Sequence, residues 1–565
     1  MVSPLLSNMT ANNYLESVKS LPVSVANAKL EELCGVQCFI EHHQGLYDIQ
    51  SDERDSMDCK DTYGDWQTNF ELALNICRLL KNNGINPKVI IEPTCGKGNF
   101  ILAALLTFDN VEDIYGIEIR KPYIDELKIR ILQLFIDTPD RIKVKIHLYN
   151  QNIFDFDFAS IKKELAKREV LVLGNPPWVT NSKLGSLGKD NLPEKSNFKR
   201  LSGMEALTGK SNFDIAEYIC RQMISLMSGE HGYLALLLKN SVIRNILYEQ
   251  NTNILPIKDI HQYSIDAQKE FNVSVSASLF FCTIKEDASR HCQIKDFYTL
   301  KDIHEYGWVN NNFVSDIELY QKYSYMDGRS PLVWRSGIKH DCAKVMELAY
   351  NDGRYTNGMG EIVDIEDDMI YPLIKSSDIK GRMISSTRKY VIVTQKTTSD
   401  NTAWINIKYP KTYKYLLSHA ELLDNRRSRI YKGRSRFCLF GIGEYSFKPY
   451  KIAVSGLYKK PTFTLIVPVS GKSVMLDDTC YMLGFDALDD AMTTLRLLNS
   501  KPAQSFMKSL IFEDAKRVIN KDLLMRIDLM KVLEHSSSDL IDSSVSEHYS
   551  AMLRGDIAPA QLSLF

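Results

Sequence analysis

Val170-Leu171-Val172-Leu173-Gly174-Asn175-Pro176-Pro177-Trp178 decides how this chain folds. Four apolar residues closed by a glycine predict a short strand buried on both faces, as in a parallel sheet. The tetrapeptide behind it then falls at a strand's carboxyl end, where open α/β sheets bind their ligands. Pro176 and Pro177 remove two backbone donors and stiffen the turn, while the Asn175 and Pro176 carbonyls stay free to accept. Trp178 adds a flat aromatic face. An amide oxygen, a carbonyl and a ring can together hold a planar amine: the acceptors take its hydrogens and the ring stacks on its π-face. A proline turn beside a core tryptophan is the plain alternative, and the tetrapeptide alone does not decide between them.

The stretch some eighty residues upstream weighs against coincidence. Val89-Ile90-Ile91 reads as a second buried strand, followed by Glu92-Pro93-Thr94-Cys95-Gly96-Lys97-Gly98-Asn99-Phe100 and the helical run Ile101 to Leu106. Strand, glycine turn and helix form a dinucleotide-type cradle: glycines admit a ligand close to the backbone, and a helix N-terminus aims amide hydrogens at it. Ile114 to Glu118 reads as the next strand and ends in an acid twenty residues after Gly98, which suits the two hydroxyls of a ribose. His147 to Phe154 supplies a third element before the one that carries the Asn-Pro-Pro-Trp turn.

In this order and spacing the motifs resemble the S-adenosylmethionine-dependent amino-methyltransferases of DNA. The nearest likeness is to N6-adenine enzymes of the gamma arrangement from restriction–modification systems, where the cofactor motif precedes the catalytic motif and target recognition follows. The resemblance implies S-adenosylmethionine as cofactor and no metal. It assigns cofactor binding to Thr68, Glu92, Pro93, Thr94, Cys95, Gly96, Gly98, Phe100, Glu118, Asn152, Ile153 and Asn175. Tyr63 to Thr68, before a helix over Phe70 to Leu80, resembles the segment that closes over the methionine portion. Asn175, Pro176, Pro177 and Trp178 match the catalytic turn. Phe213-Asp214 resembles the opening of the next helix, Ile215 to Met227, and Gly232 to Leu238 the following strand. Lys269 to Val273, before a strand over Ala277 to Ile284, resembles the segment whose aromatic, Phe271, backs a flipped base together with Trp178. Asn152 departs from the pattern, since the family places an acid there; its amide oxygen still accepts from an adenine amine.

The implied chemistry is physically coherent. An adenine exocyclic amine is a poor nucleophile because its lone pair is delocalised into the ring. Acceptors at Asn175 and the Pro176 carbonyl favour a pyramidal nitrogen, a geometry reached only as attack proceeds, so they favour the transition state. An amine inside a duplex is out of reach until its base is flipped. Cytosine N4, RNA and protein glutamine remain alternative substrates for an Asn-Pro-Pro-aromatic turn. A Ser usually opens the turn of the cytosine enzymes. A compact glutamine methyltransferase would not need the large basic region that follows here. A DNA-binding module on a degenerate fold is a third reading, and the intact loop and turn argue against it.

At 565 residues the chain is expected to form more than one domain. The expected fold is α/β: a Rossmann-like methyltransferase domain with a mostly parallel sheet, then an α+β target-recognition domain. The boundaries read as an N-terminal extension 1–60, the methyltransferase domain 61–290, a connecting region 291–345, target recognition 346–540 and a tail 541–565. A hydrophobic content of 44% with 25% charged residues fits a soluble chain without a membrane span or signal peptide. Eleven scattered cysteines fit a reducing cytoplasm. Cys34, Cys38, His42 and His43 match one face of a helix rather than a zinc site. Ser51 to Asp61 is an acidic loop, and no nuclease cluster is legible, so a cognate restriction endonuclease would be separately encoded.

Double-stranded DNA is the implied partner, yet the formal net charge is −1, so charge distribution must carry the argument. Lys408 to Lys460 holds thirteen Lys/Arg against Glu421, Asp424 and Glu444. Within it, Arg426, Arg427, Arg429, Lys432, Arg434 and Arg436 form a stripe suited to phosphates and guanine edges. Lys375 to Ile379 and Thr394 to Lys396 are further polar candidates. The terminal Gln561-Leu562-Ser563-Leu564-Phe565 is similar to the peptide with which bacterial replication and repair proteins hold the sliding clamp: Gln561, Leu562, Leu564 and Phe565 are its anchors.

Overall fold

The structure is a computed structural model that describes residues 18, 20–34, 66–137, 144–180, 214–515, 517–536, 541 and 543–556. The chain divides into two compact units, residues 1–313 and 314–565.

The first unit is built on a ten-stranded sheet. Its strands are β1 (Val89–Glu92), β2 (Asp113–Glu118), β3 (Lys145–Asn150), β4 (Val170–Gly174), β5 (Gly232–Lys239), β6 (Ile257–Ile265), β7 (Ala277–Ile284), β8 (His291–Asp296), β9 (Asp302–Val309) and β10 (Asn312–Val314). Their order is β10-β9-β8-β6-β7-β5-β4-β1-β2-β3. The five strands β3-β2-β1-β4-β5 are all parallel, whereas β7 runs antiparallel to both β5 and β6. This is the expected Rossmann-like α/β sheet. All residues of β1 and β4 are buried, which is why both read as unbroken apolar runs. After β1 the chain winds outward through β2 and β3, then returns to place β4 on the other side of β1. That reversal is a topological switch point, and the carboxyl ends of β1 and β4 meet there with Ile91 beside Val172. The stretch read as the start of a connecting region differs: β8 and β9 join this sheet by pairing β8 parallel to β6 and antiparallel to β9.

Helices α1 (Phe70–Asn82), α2 (Asn99–Thr107), α3 (Lys121–Asp137) and α4 (Ile215–Leu226) surround the switch point. Asn69 caps α1 by accepting from the Leu72 amide at 2.7 Å, and Asp214 caps α4 by accepting from Ala216 at 3.1 Å. Gly98 precedes α2 with φ 75°, and a Cβ there would meet Leu127 Cδ1 at 2.0 Å. Only glycine allows both the left-handed turn and this approach of α3.

The second unit carries a six-stranded and a five-stranded sheet with flanking helices, an α+β arrangement. Its elements include the strands Lys389–Ile392, Tyr450–Ser455 and Thr464–Ile466 and the helices Leu488–Leu498 and Lys501–Leu510. Separate apolar clusters underlie the two sheets, around Leu348, Leu373 and Val391 in one and Ala453, Ile466 and Met482 in the other. Among the described residues, no helix is long and apolar enough to cross a membrane.

Lys451 sits in the strand Tyr450–Ser455, fully buried, its Nζ donating to the Lys448 carbonyl at 2.6 Å. Burial lowers its ammonium to about 7. Between that value and the ordinary lysine value the unfolded chain binds the extra proton, so this group's contribution to stability rises with pH. Lys451→Met should therefore be more stable than the native chain below pH 7, by up to about 4 kcal/mol. The advantage should shrink steadily toward pH 10. Thermal unfolding of both proteins across that range checks it.

Candidate active site

A cavity of about 360 Å³ opens at the switch point. Thr68, Glu92, Pro93, Thr94, Cys95, Gly96, Phe100, Glu118, Asn152, Ile153 and Asn175 line it, joined by Pro177 of the catalytic turn. Gly98 does not line it; its role is the turn and the packing of α3. Sequence reasoning missed Gln67, Asn99, Arg120 and Phe154, along with Ile215 and Ile219 one helical turn apart on α4.

The glycine loop is held from both sides. Arg130, buried on α3, donates to the Lys97 carbonyl and to Asn99 Oδ1, each at 2.6 Å, while Lys97 pairs with buried Glu126 at 2.9 Å. Gly96 has φ 51°, and a Cβ there would come within 2.6 Å of Gln67 Oε1. The Glu118 carboxylate accepts from the Gly96 amide at 2.9 Å and from the Arg120 amide at 2.8 Å. Asn152 Oδ1 accepts from the Phe154 amide at 3.1 Å, which fixes the side chain and leaves a second lone pair.

Residues 66–69 form a strap across these parts. The Trp66 carbonyl accepts from Asn175 Nδ2 at 2.7 Å, Gln67 Oε1 from the Lys97 amide at 3.3 Å, and the Thr68 carbonyl from Asn99 Nδ2 at 2.6 Å. Asn69 Nδ2 donates to Glu270 at 3.0 Å, beside Phe271. With its NH₂ fixed on Trp66, the Asn175 amide must present its oxygen elsewhere. That oxygen is buried and, among the described residues, has no hydrogen-bond partner.

Three further buried oxygens on the same cavity are equally unpartnered among the described residues: Thr68 Oγ1, Thr94 Oγ1 and Glu92 Oε2. Buried polar groups are otherwise almost always paired, so such a cluster indicates a polar ligand. Burial pushes the Glu92 carboxyl well above its ordinary value; the Ile101 amide opposes this and nearby Glu118 adds to it. A ligand bringing positive charge would reverse that shift. Burial likewise raises the Cys95 thiol, with Glu92 and Glu118 adding to it, so it packs as a neutral side chain. A fixed carboxylate, an oriented amide oxygen and acceptors unpaired among the described residues around a buried acid fit S-adenosylmethionine. Among the described residues, no cluster of His, Cys, Asp and Glu is placed to hold a metal ion.

Trp178 and Phe271 meet edge to face with ring centroids 5.1 Å apart. Trp178 is only 8% exposed and its Nε1 donates to the Leu237 carbonyl at 3.2 Å, so its ring packs beneath the turn. Pro176 does not line the cavity. Tyr63 to Asp65 and Phe213 lie outside the described residues, as do residues 51–61, Cys38, His42, His43 and the anchors Gln561, Leu562, Leu564 and Phe565.

The basic stripe of the second unit is not uniform. Arg426 turns inward: its guanidinium donates to the carbonyls of Leu423 (2.7 Å), Cys438 (2.9 Å), Arg436 (3.0 Å) and His340 (3.3 Å) and stacks 3.7 Å from the Tyr431 centroid. Arg436 grips Asp424 with contacts of 2.6 and 3.1 Å. Arg427, Arg429, Lys432 and Arg434 are exposed and, among the described residues, unpaired.

No protein-family model matches the chain. A type II methyltransferase of Vibrio sp., M.VspI, is 27% identical over 208 residues, 37% of this chain and 44% of that protein. Among solved structures, the type IIL restriction–modification enzyme MmeI in complex with DNA superposes with a TM-score of 0.48 at 11% identity, covering 97% of this chain and 78% of that one. The type II methyltransferase M.NspV of Nostoc sp. is 42% identical over 469 residues, 83% of this chain and 96% of that protein. Identity at that level over nearly the whole of a known enzyme makes the chain a member of the type II restriction–modification methyltransferase family.

Proposed function

We propose that the chain methylates the N6 amine of a flipped adenine within a specific sequence of duplex DNA, as an enzyme of the gamma arrangement. The observation that carries this reading is the Asn175 amide, whose donor is occupied by Trp66 and whose buried oxygen faces the cofactor cavity unpaired. When bound, S-adenosylmethionine supplies an electrophilic methyl on a positively charged sulfur. Asn175 Oδ1 accepts one N–H of the target amine, the Pro176 carbonyl is the candidate for the other, and the nitrogen lone pair leaves the ring's conjugation. The methylated amine becomes acidic and gives its extra proton to water, so no dedicated base is needed. Ile215 and Ile219 add an apolar wall that limits water. Trp178 stacks on the flipped base only if its ring swings clear of Phe271 or the base adds to that pair from outside.

The Asn at the head of the turn favours adenine over cytosine N4. The exposed cations Arg427, Arg429, Lys432 and Arg434, unpaired among the described residues, favour nucleic acid over a protein side chain. Residues 61–290 would carry catalysis and 346–540 target recognition, in the cytoplasm, with a separately encoded restriction endonuclease as counterpart. The terminal peptide would hold a sliding clamp.

Single-molecule sequencing of host DNA that expresses the chain should reveal N6-methyladenine in one sequence context; N4-methylcytosine or no modified base would overturn the reading. Asn175→Ala should reduce that methylation by about two orders of magnitude or more, with calorimetric cofactor affinity changed only a few-fold. Replacing Arg427, Arg429 and Arg434 by Gln should weaken DNA binding and lower the log–log salt slope by about 0.9 per lost phosphate contact. Arg426→Gln should instead lower the melting temperature and leave the slope nearly unchanged. Deleting residues 561–565 should spare turnover on short oligonucleotides and abolish capture of the enzyme by a bacterial sliding clamp in a pull-down.

A further inference from the structure

With Arg426 turned inward and Arg436 paired with Asp424 at the surface, the stripe has four cations unpaired among the described residues, and the net charge of −1 gives no background attraction. The second unit holds another basic surface. Residues 375–389 contain Lys375, Lys380, Arg382, Arg388 and Lys389 against one acid, Asp378. The segment begins after the strand Ile370–Ile374 and runs into the strand Lys389–Ile392, so both its ends lie on one sheet.

Both ends are also fastened to a single carboxylate. Glu347 is 5% exposed and accepts from Lys375 Nζ at 2.7 Å and Lys389 Nζ at 2.8 Å, with His340 Nε2 at 3.5 Å. Burial alone would raise this carboxyl; the hydrogen bonds from His340, Lys375 and Lys389 override it and hold it far below the ordinary range. Inside the segment, Thr387 Oγ1 donates to the Leu373 carbonyl at 2.6 Å, Asp378 accepts from the Lys375 amide at 2.9 Å, and Met383–Ile384 pairs with the strand Thr464–Ile466. The loop is therefore built on a rigid frame, as a recognition surface requires.

What it presents is a concavity of about 430 Å³ with Ser377, Lys380, Ser385, Ser386 and Arg388 on its walls. All five are exposed, as is Arg382. Ser377, Lys380, Arg382, Ser385 and Ser386 make no side-chain hydrogen bond or ion pair among the described residues, and Arg388 bonds Asp378, which also lines the hollow, while remaining 78% exposed. Cations on a hydroxyl-lined hollow match phosphate oxygens flanked by sugar, the part of a duplex that positions a protein without reading sequence.

We propose that the 375–389 loop is a second DNA-backbone contact of this enzyme, with Lys380, Arg382 and Arg388 on phosphates and Ser377, Ser385 and Ser386 as neutral donors beside them. The proposal rests on DNA being the substrate. Arg427, Arg429, Lys432 and Arg434 provide the other contact, so the two clusters contribute separately to the salt dependence.

The test uses the full chain and a duplex carrying the sequence found methylated in the host. K380Q/R382Q/R388Q should bind this duplex more weakly, with a log–log salt slope smaller by about 2.7. Between 50 and 200 mM salt it should then lose about 40-fold less affinity than the native chain does. Cofactor affinity and melting temperature should stay at native values. S385A/S386A, which removes no charge, should weaken binding a few-fold at constant slope. Native affinity and slope in the triple variant would overturn the proposal. So would an unchanged slope with relaxed sequence preference, which would assign the cations to base edges. If the native chain methylates no DNA, the function reading itself fails; if it does and the triple variant is unaltered, only the loop assignment fails.

Discussion

The bond from Asn175 Nδ2 to the Trp66 carbonyl, 2.7 Å long, is the constraint on which the site depends. An amide side chain can turn either its donor or its acceptor toward a ligand, and only the acceptor suits an amine that must lose conjugation. Pinning the NH₂ decides the matter before any substrate arrives, at the expense of one buried oxygen left unpaired. An unmade hydrogen bond of this kind costs about 1–3 kcal/mol, which a ligand donor restores on binding. The free protein is held in a state that its substrate improves.

Because the pinning atom belongs to the backbone of the strap, the same segment serves every other part of the cavity. Thr68 and Gln67 meet the glycine loop through Asn99 and Lys97, and Asn69 reaches Glu270 next to Phe271. Four consecutive residues thus bond the Asn175 amide, the glycine loop and Glu270, the neighbour of Phe271. Order in the cofactor cavity and order at the amine acceptor are therefore mechanically linked. The switch-point topology makes this possible, since it brings the ends of β1 and β4 within reach of one short chain segment.

Much of this was legible in the sequence because it is local. Buried parallel strands announce themselves as apolar runs, glycine turns as spacing, and a catalytic turn as two prolines after an asparagine. Eleven of the twelve expected cofactor residues reach the cavity for that reason. The exception, Gly98, shows what spacing cannot separate: a glycine needed for a ligand and one needed for a neighbouring helix, here Leu127 of α3. The clamp of Arg130 on Lys97 and Asn99 was not legible, because it joins residues more than thirty positions apart on a helix that otherwise reads as an ordinary charged surface. The division of the sheet was also hidden: β8 and β9 carry too few apolar residues to declare which sheet they join.

The same limit explains the basic stripe. Composition reports how many cations a segment has, not which way they face. Arg426 opens the richest run, yet it satisfies four backbone carbonyls and stacks on Tyr431, work suited to a planar fork with five donors. Its partners His340 and Cys438 are 86 and 12 residues away, so no local pattern marks it. A guanidinium whose donors are spent on four carbonyls, as in Arg426, cannot also neutralise a phosphate, whereas an exposed one held by a single carboxylate still can. In a protein whose charges nearly cancel, what distinguishes one cation from another is its partner: among the described residues Arg427, Arg429, Lys432 and Arg434 are unpaired in one place, and Lys380 and Arg382 in another, with Arg388 extended beside them.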